Sequence, residues 1–187
     1  MCRMMISEVS KEKENRGDKM DVLFSAEDIA ARVRQMGEEI TRFYQGKPLT
    51  VVVLASGGIF FGADIMRAID LPMWVDCLGV ASYANDKCTG KVSCRSRLKL
   101  DCAGRHVLIV DEVLDSGKTL MEVSQMLLEQ GALSVKSAVI VTKNVDRSDT
   151  VAAADWSGFD SPDRYLVGYG LDSNEEYRNL PYIGALD

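Results

Sequence analysis

HVLIVDEVLDSGKTL, residues 106–120, decides the fold. Its opening run, His106 to Val110, is continuous, apolar and rich in valine and isoleucine, the pattern of a strand covered on both faces. A polar turn ending at Gly117 interrupts it. Leu120, Val123, Met126 and Leu127 then recur at helical steps until Gly131 stops them. Residues 135–142 form another apolar run, which completes a strand–helix–strand unit. The same alternation continues upstream. Ser25 and Asp28 make a capping box ahead of Ile29, Val33, Met36, Ile40 and Phe43, one face of a helix that Gly46 and Pro48 end. Residues 50–55 read as a buried strand, 59–69 as a helix and 73–82 as a second strand. Residues 84–104 are polar, 144–163 read as loop, and 165–170 as a fifth strand. Strands alternating with helices predict an α/β domain with a largely parallel central sheet flanked by helices.

The chain has 187 residues, the length of one domain, so residues 1–21 read as a polar tail and 22–187 as the domain. Hydrophobic residues make up 47% and charged residues 27%, enough for a core and too apolar for a disordered chain. With 22 Lys and Arg against 28 Asp and Glu, the formal net charge is -6, which argues against broad nucleic-acid binding. A small anionic ligand stays open, because backbone N–H groups hold phosphate on acidic proteins too. No apolar run approaches the ~20 residues of a membrane span, and the tail has no signal-peptide stretch. The five cysteines, Cys2, Cys77, Cys88, Cys94 and Cys102, are odd in number and show no Cys-x-x-Cys spacing. Free thiols in a reducing cytoplasm are expected. The one histidine, His106, starts an apolar strand and is assigned a structural role.

Four unusual segments fall at predicted strand ends, where open parallel sheets bind ligands. They are Ser56-Gly57-Gly58, Asp111 to Thr119, Lys143 and Asp172. Gly117-Lys118-Thr119 looks like the end of a nucleotide-triphosphate P-loop, but that motif needs a glycine where Glu112 stands. A smaller phosphate site fits better. The N–H groups of Ser116, Gly117, Lys118 and Thr119 enter a helix and can hold one phosphate dianion, with the Ser116 and Thr119 hydroxyls as further donors. Asp111, Glu112 and Asp115 stand just before it. Carboxylates aimed at a phosphate would repel it; they make sense if they face another part of the same ligand, such as sugar hydroxyls, or a metal ion, the alternative being a solvated acidic strand end with a helix cap.

Residues 107–120, VLIVDEVLDSGKTL, resemble the phosphoribosyl-pyrophosphate motif of type I phosphoribosyltransferases, and more narrowly the hypoxanthine-guanine branch. Residues 165–180, YLVGYGLDSNEEYRNL, are similar to that branch's C-terminal segment, and the likeness covers roughly residues 22–186. It implies the fold of that family, with a small hood from the C-terminal segment. It implies transfer of a phosphoribosyl group from 5-phosphoribosyl 1-pyrophosphate to hypoxanthine or guanine, giving IMP or GMP and pyrophosphate. Ser56, Gly57, Asp111, Glu112, Asp115, Ser116, Gly117, Lys118 and Thr119 would bind the phosphoribosyl group, Asp111 and Glu112 at the ribose hydroxyls, which requires the chain to bend as the strand ends. Asp115 would assist catalysis near the purine N7. Ser82 and Tyr83 match a flexible-loop pair in the stretch 82–104, which would close over the site. Lys143 would donate to the purine 6-oxygen, Tyr165 would stack on the base, and Leu166 would offer backbone groups. Arg178 would bind pyrophosphate, and Asp172 and Glu112 would hold Mg2+. A homodimer or homotetramer, with the loop near Ser56 and the following helix at the interface, is also implied.

Two positions depart from the family pattern. The acidic pair is usually Glu-Asp and is here Asp111-Glu112. Ser56 stands where the branch usually has lysine; neighbouring xanthine-type enzymes also carry serine in the corresponding loop. The family loop implies a non-proline cis peptide at Ala55-Ser56. A xanthine-preferring enzyme is therefore the nearer alternative. A regulator that binds nucleic acid is the farther one, for which Lys87, Lys91, Arg95, Arg97 and Lys99 are the only basic cluster.

Overall fold

Val51, Val52, Val53 and Leu54 are all buried, and so are Val107 to Val110, because both runs sit in the middle of a sheet covered on each side. The computed structural model describes residues 20–81, 93–94, 97–146 and 153–186. The elements in order are β1 (Met20–Phe24), α1 (Ala26–Tyr44), β2 (Leu49–Ala55), α2 (Ile59–Ala68), β3 (Met73–Ala81), β4 (Ser93–Cys94), β5 (His106–Leu114), α3 (Lys118–Glu129), β6 (Ser134–Lys143), β7 (Trp156–Ser161), β8 (Tyr165–Val167) and β9 (Ile183–Leu186). Five parallel strands, ordered β3-β2-β5-β6-β7, make the central sheet, and β4 pairs antiparallel with the outer side of β3. Val51, Val53, Leu108 and Val110 pack with α1 and α2. Val52, Leu54, Val107 and Ile109 point the other way, onto Leu120, Val123 and Leu127 of α3. Alternation along each strand thus sends successive side chains into two separate apolar layers.

The capping box of α1 is present, with Ser25 Oγ accepting from the Asp28 N–H. Its buried stripe is Ile29, Val33, Met36, Ile40 and Tyr44. Phe43, expected on that stripe, is 40% exposed, because the four-residue step from Ile40 lands on Tyr44. Phe43 instead meets the Trp156 ring edge-on at 5.3 Å. His106 is structural, as expected: its Nδ1 lies 2.8 Å from Ser134 Oγ across the β5–β6 pair.

Two expectations are corrected. Residues 144–163 contain β7, which pairs in parallel with β6 from Ala138↔Trp156 to Lys143↔Ser161. Its sequence, WSGFDS, lacks an apolar run because it is an edge strand. Arg32 of α1 supports it, donating to the carbonyls of Ser157 and Gly158. The fifth strand, read as 165–170 and as part of the parallel sheet, ends at Val167 and lies elsewhere. β8 joins β9 and β1 in a separate antiparallel sheet of order β1-β9-β8. This is the hood, and it takes a strand from each end of the domain. β1 begins at Met20, so it includes Met20 and Asp21, which the sequence assigns to the tail. No helix among the described residues is long and apolar enough to cross a membrane.

Asp76 on β3 is 7% exposed and accepts from the N–H groups of Cys77, Lys99 and Leu100. Burial alone would raise its pKa. The three backbone donors and the charge of Lys99 outweigh burial and hold it below the ordinary carboxylate value. Asp76 therefore stabilises the fold fully above the ordinary carboxylate range and ceases to do so as pH falls through its lowered pKa. Asp76→Asn replaces an acceptor oxygen with a donor amide, and is expected to cost about 1–3 kcal/mol by leaving buried N–H groups unsatisfied. Urea unfolding at neutral and acid pH checks this: the gap between wild type and variant should narrow on the acid side.

Candidate active site

β2, β5 and β6 run parallel, so their carboxyl ends open on one side. Ser56-Gly57-Gly58 and residues 115–119 follow the ends of β2 and β5 directly, and Lys143 is the last residue of β6. β2 leaves β5 after Val53↔Val110, while β5 continues to Leu114 in unshifted register with β6. The strand thus runs on through the acidic pair, where the sequence reading has it ending. The Asp111 side chain turns, its Oδ1 accepting from the Glu112 N–H at 3.0 Å, and the two carboxyls share a hydrogen bond. Burial first, and then the charge and hydrogen bond of Glu112, push Asp111 well above the ordinary carboxylate range. Glu112 Oε2 is buried with no hydrogen-bond partner. A buried, orphaned carboxylate oxygen is costly unless something outside the chain satisfies it.

The 56–58 loop lies over this pair. Ala55-Ser56 is a non-proline cis peptide, as the resemblance implies. A Cβ on Gly57 would fall on the Glu112 carboxylate, and one on Gly58 would meet Val110 O at 3.0 Å and Asp111 Cα at 3.2 Å. Glycine at 58 lets the loop settle on the backbone at the end of β5, and glycine at 57 leaves the Glu112 carboxylate undisplaced beneath it.

Gly117 is buried, has φ +74 and occupies the N-cap of α3. No side chain caps that helix end. The first N–H groups of α3 are thus left for a ligand anion, flanked by exposed Asp115, Ser116 and Lys118 and by half-buried Thr119.

The hood reaches the loop through Gly170, whose Cβ position is occupied by the Gly57 carbonyl. Arg178 Nη1 donates to Gly170 O at 2.7 Å, and its Nη2 pairs with Asp172 at 2.8 Å and Glu175 at 2.9 Å. Asp172 also accepts from the Glu175 N–H. Glu112, Gly57, Gly170, Arg178 and Asp172 therefore form one connected series. Asp172 shares no hydrogen bond or ion pair with Glu112. Among the described residues no three His, Cys, Asp or Glu side chains converge as a metal cluster. Lys143, with its side chain 16% exposed, lies 3.8 Å from Asp163. Tyr165 is 55% exposed at the start of β8, and Leu166 is buried. Ser82 and Tyr83 fall outside the described residues.

Gly170, Tyr169, Glu175 and Asp163 escape the sequence reading. The Gly168-Tyr169-Gly170 run was the available signal for the first two, since paired glycines mark backbone that must turn or approach closely.

Residues 20–174 match the model of the phosphoribosyl transferase domain. The chain belongs to the phosphoribosyltransferase family. A hypoxanthine-guanine phosphoribosyltransferase of Aquifex aeolicus is 39% identical over 173 residues, covering 91% of this chain and 97% of that protein. The hypoxanthine-guanine-xanthine phosphoribosyltransferase of Tritrichomonas foetus is 33% identical over 165 residues, covering 88% and 90%. A crystal structure of a hypoxanthine phosphoribosyltransferase from Staphylococcus aureus superposes with a TM-score of 0.84 at 34% identity, over 89% of this chain and 91% of that one. The parallel central sheet flanked by helices in a single domain is thus the fold of solved members of this family.

Proposed function

We propose that this phosphoribosyltransferase salvages 6-oxopurines, moving the phosphoribosyl group of 5-phosphoribosyl 1-pyrophosphate onto hypoxanthine or guanine. The observation that carries this is the uncapped Gly117 turn directly after a buried carboxyl pair with an orphaned oxygen. One phosphate and one sugar diol fit that combination. The N–H groups of 116–119 take the 5-phosphate, aided by the α3 dipole. Asp111 and Glu112 accept from the ribose hydroxyls. As pyrophosphate leaves C1 and positive charge develops on the sugar, the nearby Asp115 balances it and assists proton removal from the purine. Glu112, through its unpartnered oxygen, and Asp172 are the groups that would hold Mg2+, an ion that takes one or two carboxylates and leaves its other positions to phosphates and water. When bound, Mg2+ neutralises charge on the departing pyrophosphate. Arg178 is a second counter-charge, currently engaged by Asp172 and Glu175.

Lys143 selects the base. Its ammonium donates to a 6-oxygen and would meet only a donor on a 6-amino purine. Lys143→Ala is expected to raise KM for hypoxanthine about 10- to 100-fold, the loss of a hydrogen bond from a charged donor, with KM for 5-phosphoribosyl 1-pyrophosphate little changed. Equal loss for both substrates would remove Lys143 from this role.

The test of function is a competition assay with hypoxanthine, guanine and xanthine, supplied with 5-phosphoribosyl 1-pyrophosphate and Mg2+. IMP and GMP should form. Xanthine as the sole substrate, or no nucleotide together with nucleic-acid binding at physiological salt, would overturn the assignment. We also propose a cytoplasmic homodimer or homotetramer. The exposed Ile59 and Phe60, directly after the 56–58 loop, support an interface there, and the free Cys77 and Cys102 support a reducing compartment.

A further inference from the structure

The active site draws on two segments more than a hundred residues apart. The 56–58 loop backs Glu112 through Gly57, and the hood turn carries Gly170, Asp172 and the carbonyl that Arg178 grips. Where they touch, Gly170 meets the Gly57 carbonyl, which is packing without a directional bond. Directly beside it there is one. Tyr169 Oη donates to Asp64 Oδ2 at 2.8 Å. Asp64 lies on α2, the helix into which the 56–58 loop runs, and Tyr169 precedes Gly170. Tyr169 is 7% exposed and has φ +50, between Gly168 at φ +94 and Gly170 at φ +105. Three consecutive left-handed residues, the middle one a tyrosine, need external support, since a residue with a Cβ pays about 1–2 kcal/mol for that conformation. Backbone bonds from Tyr169 N to Leu180 O and from Gly170 N to Arg178 O supply part of it from within the hood. The phenol supplies the tie outside the hood. Burial, and then Asp64, keep that phenol protonated and so a permanent donor.

We propose that Tyr169 and Asp64 form a latch between hood and loop, and act as positioning residues that hold Arg178 and Asp172 in register with the Gly57–Glu112 contact. The role rests on the phosphoribosyltransferase assignment, and it makes the latch serve the phosphoribosyl-pyrophosphate half of the reaction rather than the purine half. Neither residue touches substrate. Tyr169→Phe keeps the ring and removes only the donor. The Asp64 side chain is half exposed and next to Arg67, so it stays solvated and paired without Tyr169.

The experiment compares wild type, Tyr169→Phe, Asp64→Ala and the double variant in two ways. Hydrogen–deuterium exchange follows the amides of Gly58 and Gly62 on the loop side and of Tyr169 and Gly170 on the hood side, all hydrogen-bonded here. Steady-state kinetics gives KM for each substrate separately. Each single variant is expected to speed exchange in both segments together by about tenfold, the worth of one hydrogen bond to a charged acceptor, and the double variant to add nothing further. KM for 5-phosphoribosyl 1-pyrophosphate should rise by a similar factor while KM for the purine stays within about twofold. Exchange that changes in one segment only, additive single variants, or equal rises in both KM values would overturn the latch. A wild-type protein that makes no nucleotide would refute the functional assignment instead, and the exchange data would still decide the latch.

Discussion

Gly117→Val should abolish retention of a nucleoside monophosphate while leaving a folded chain. Gly117 has φ +74 at the N-cap of α3, a conformation that costs residues with a Cβ about 1–2 kcal/mol and β-branched residues more. Valine relieves that strain by moving toward extended backbone. The move turns the N–H groups that follow, those of Lys118 and Thr119, away from their present direction at the start of α3. The rest of α3 is fixed by Leu120, Val123 and Leu127 in the apolar layer beneath, so the helix itself survives. On the proposed phosphate placement several N–H groups act together, so affinity for GMP should fall at least about 100-fold, on the order of 3 kcal/mol. Isothermal calorimetry measures the affinity and circular dichroism the fold. A folded variant with wild-type affinity would place the phosphate elsewhere.

The parts of the fold that were legible in sequence are those where one local rule dominates. Val51 to Leu54 and Val107 to Val110 could only be strands covered on both faces, and Ser25 with Asp28 could only open a helix. β7 was hidden because its stability comes from elsewhere: β6 on one side and the Arg32 guanidinium on its Ser157 and Gly158 carbonyls. The sheet to which β8 belongs is hidden for a related reason. Tyr165, Leu166 and Val167 have strand composition, and nothing local says that their partner is Ile183–Leu186 rather than β6. Pairing between distant segments leaves no trace in the composition of either one.

The candidate site divides along the same line. Asp111, Glu112 and Gly117 were readable because strand, turn and helix are contiguous there. The contact of Gly57 with Gly170, and the pairing of Arg178 with Asp172 and Glu175, join residues that sequence places far apart or gives no reason to pair. The resemblance supplied Arg178 and Asp172 as separate ligands of pyrophosphate and metal. In the structure they meet each other, so ligand binding at either one must disturb the other.

Gly57→Ala should separate activity from stability more sharply than any other single change. The new Cβ would lie on the Glu112 carboxylate, with Oε2 at 2.5 Å. What it meets is the far end of a flexible side chain, and that end has no hydrogen bond through Oε2 to hold it. The carboxylate swings aside and the backbone stays, so stability should change by less than about 1 kcal/mol. Displaced, Glu112 would lose the hydrogen bond to the ribose diol that the proposed function gives it. One lost hydrogen bond to a charged acceptor is worth about 1.5–3 kcal/mol, which lowers kcat/KM for 5-phosphoribosyl 1-pyrophosphate by about 10- to 100-fold. Gly170→Ala makes the contrast. Its Cβ would meet the backbone carbonyl of Gly57, which cannot step aside, and φ is +105, so this variant should lose stability as well. Urea unfolding beside initial-rate kinetics for both variants distinguishes them. If Gly57→Ala kept full activity, Glu112 would not be holding the sugar; if it unfolded the protein, the 56–58 loop would be pinned by more than the carboxylate beneath it.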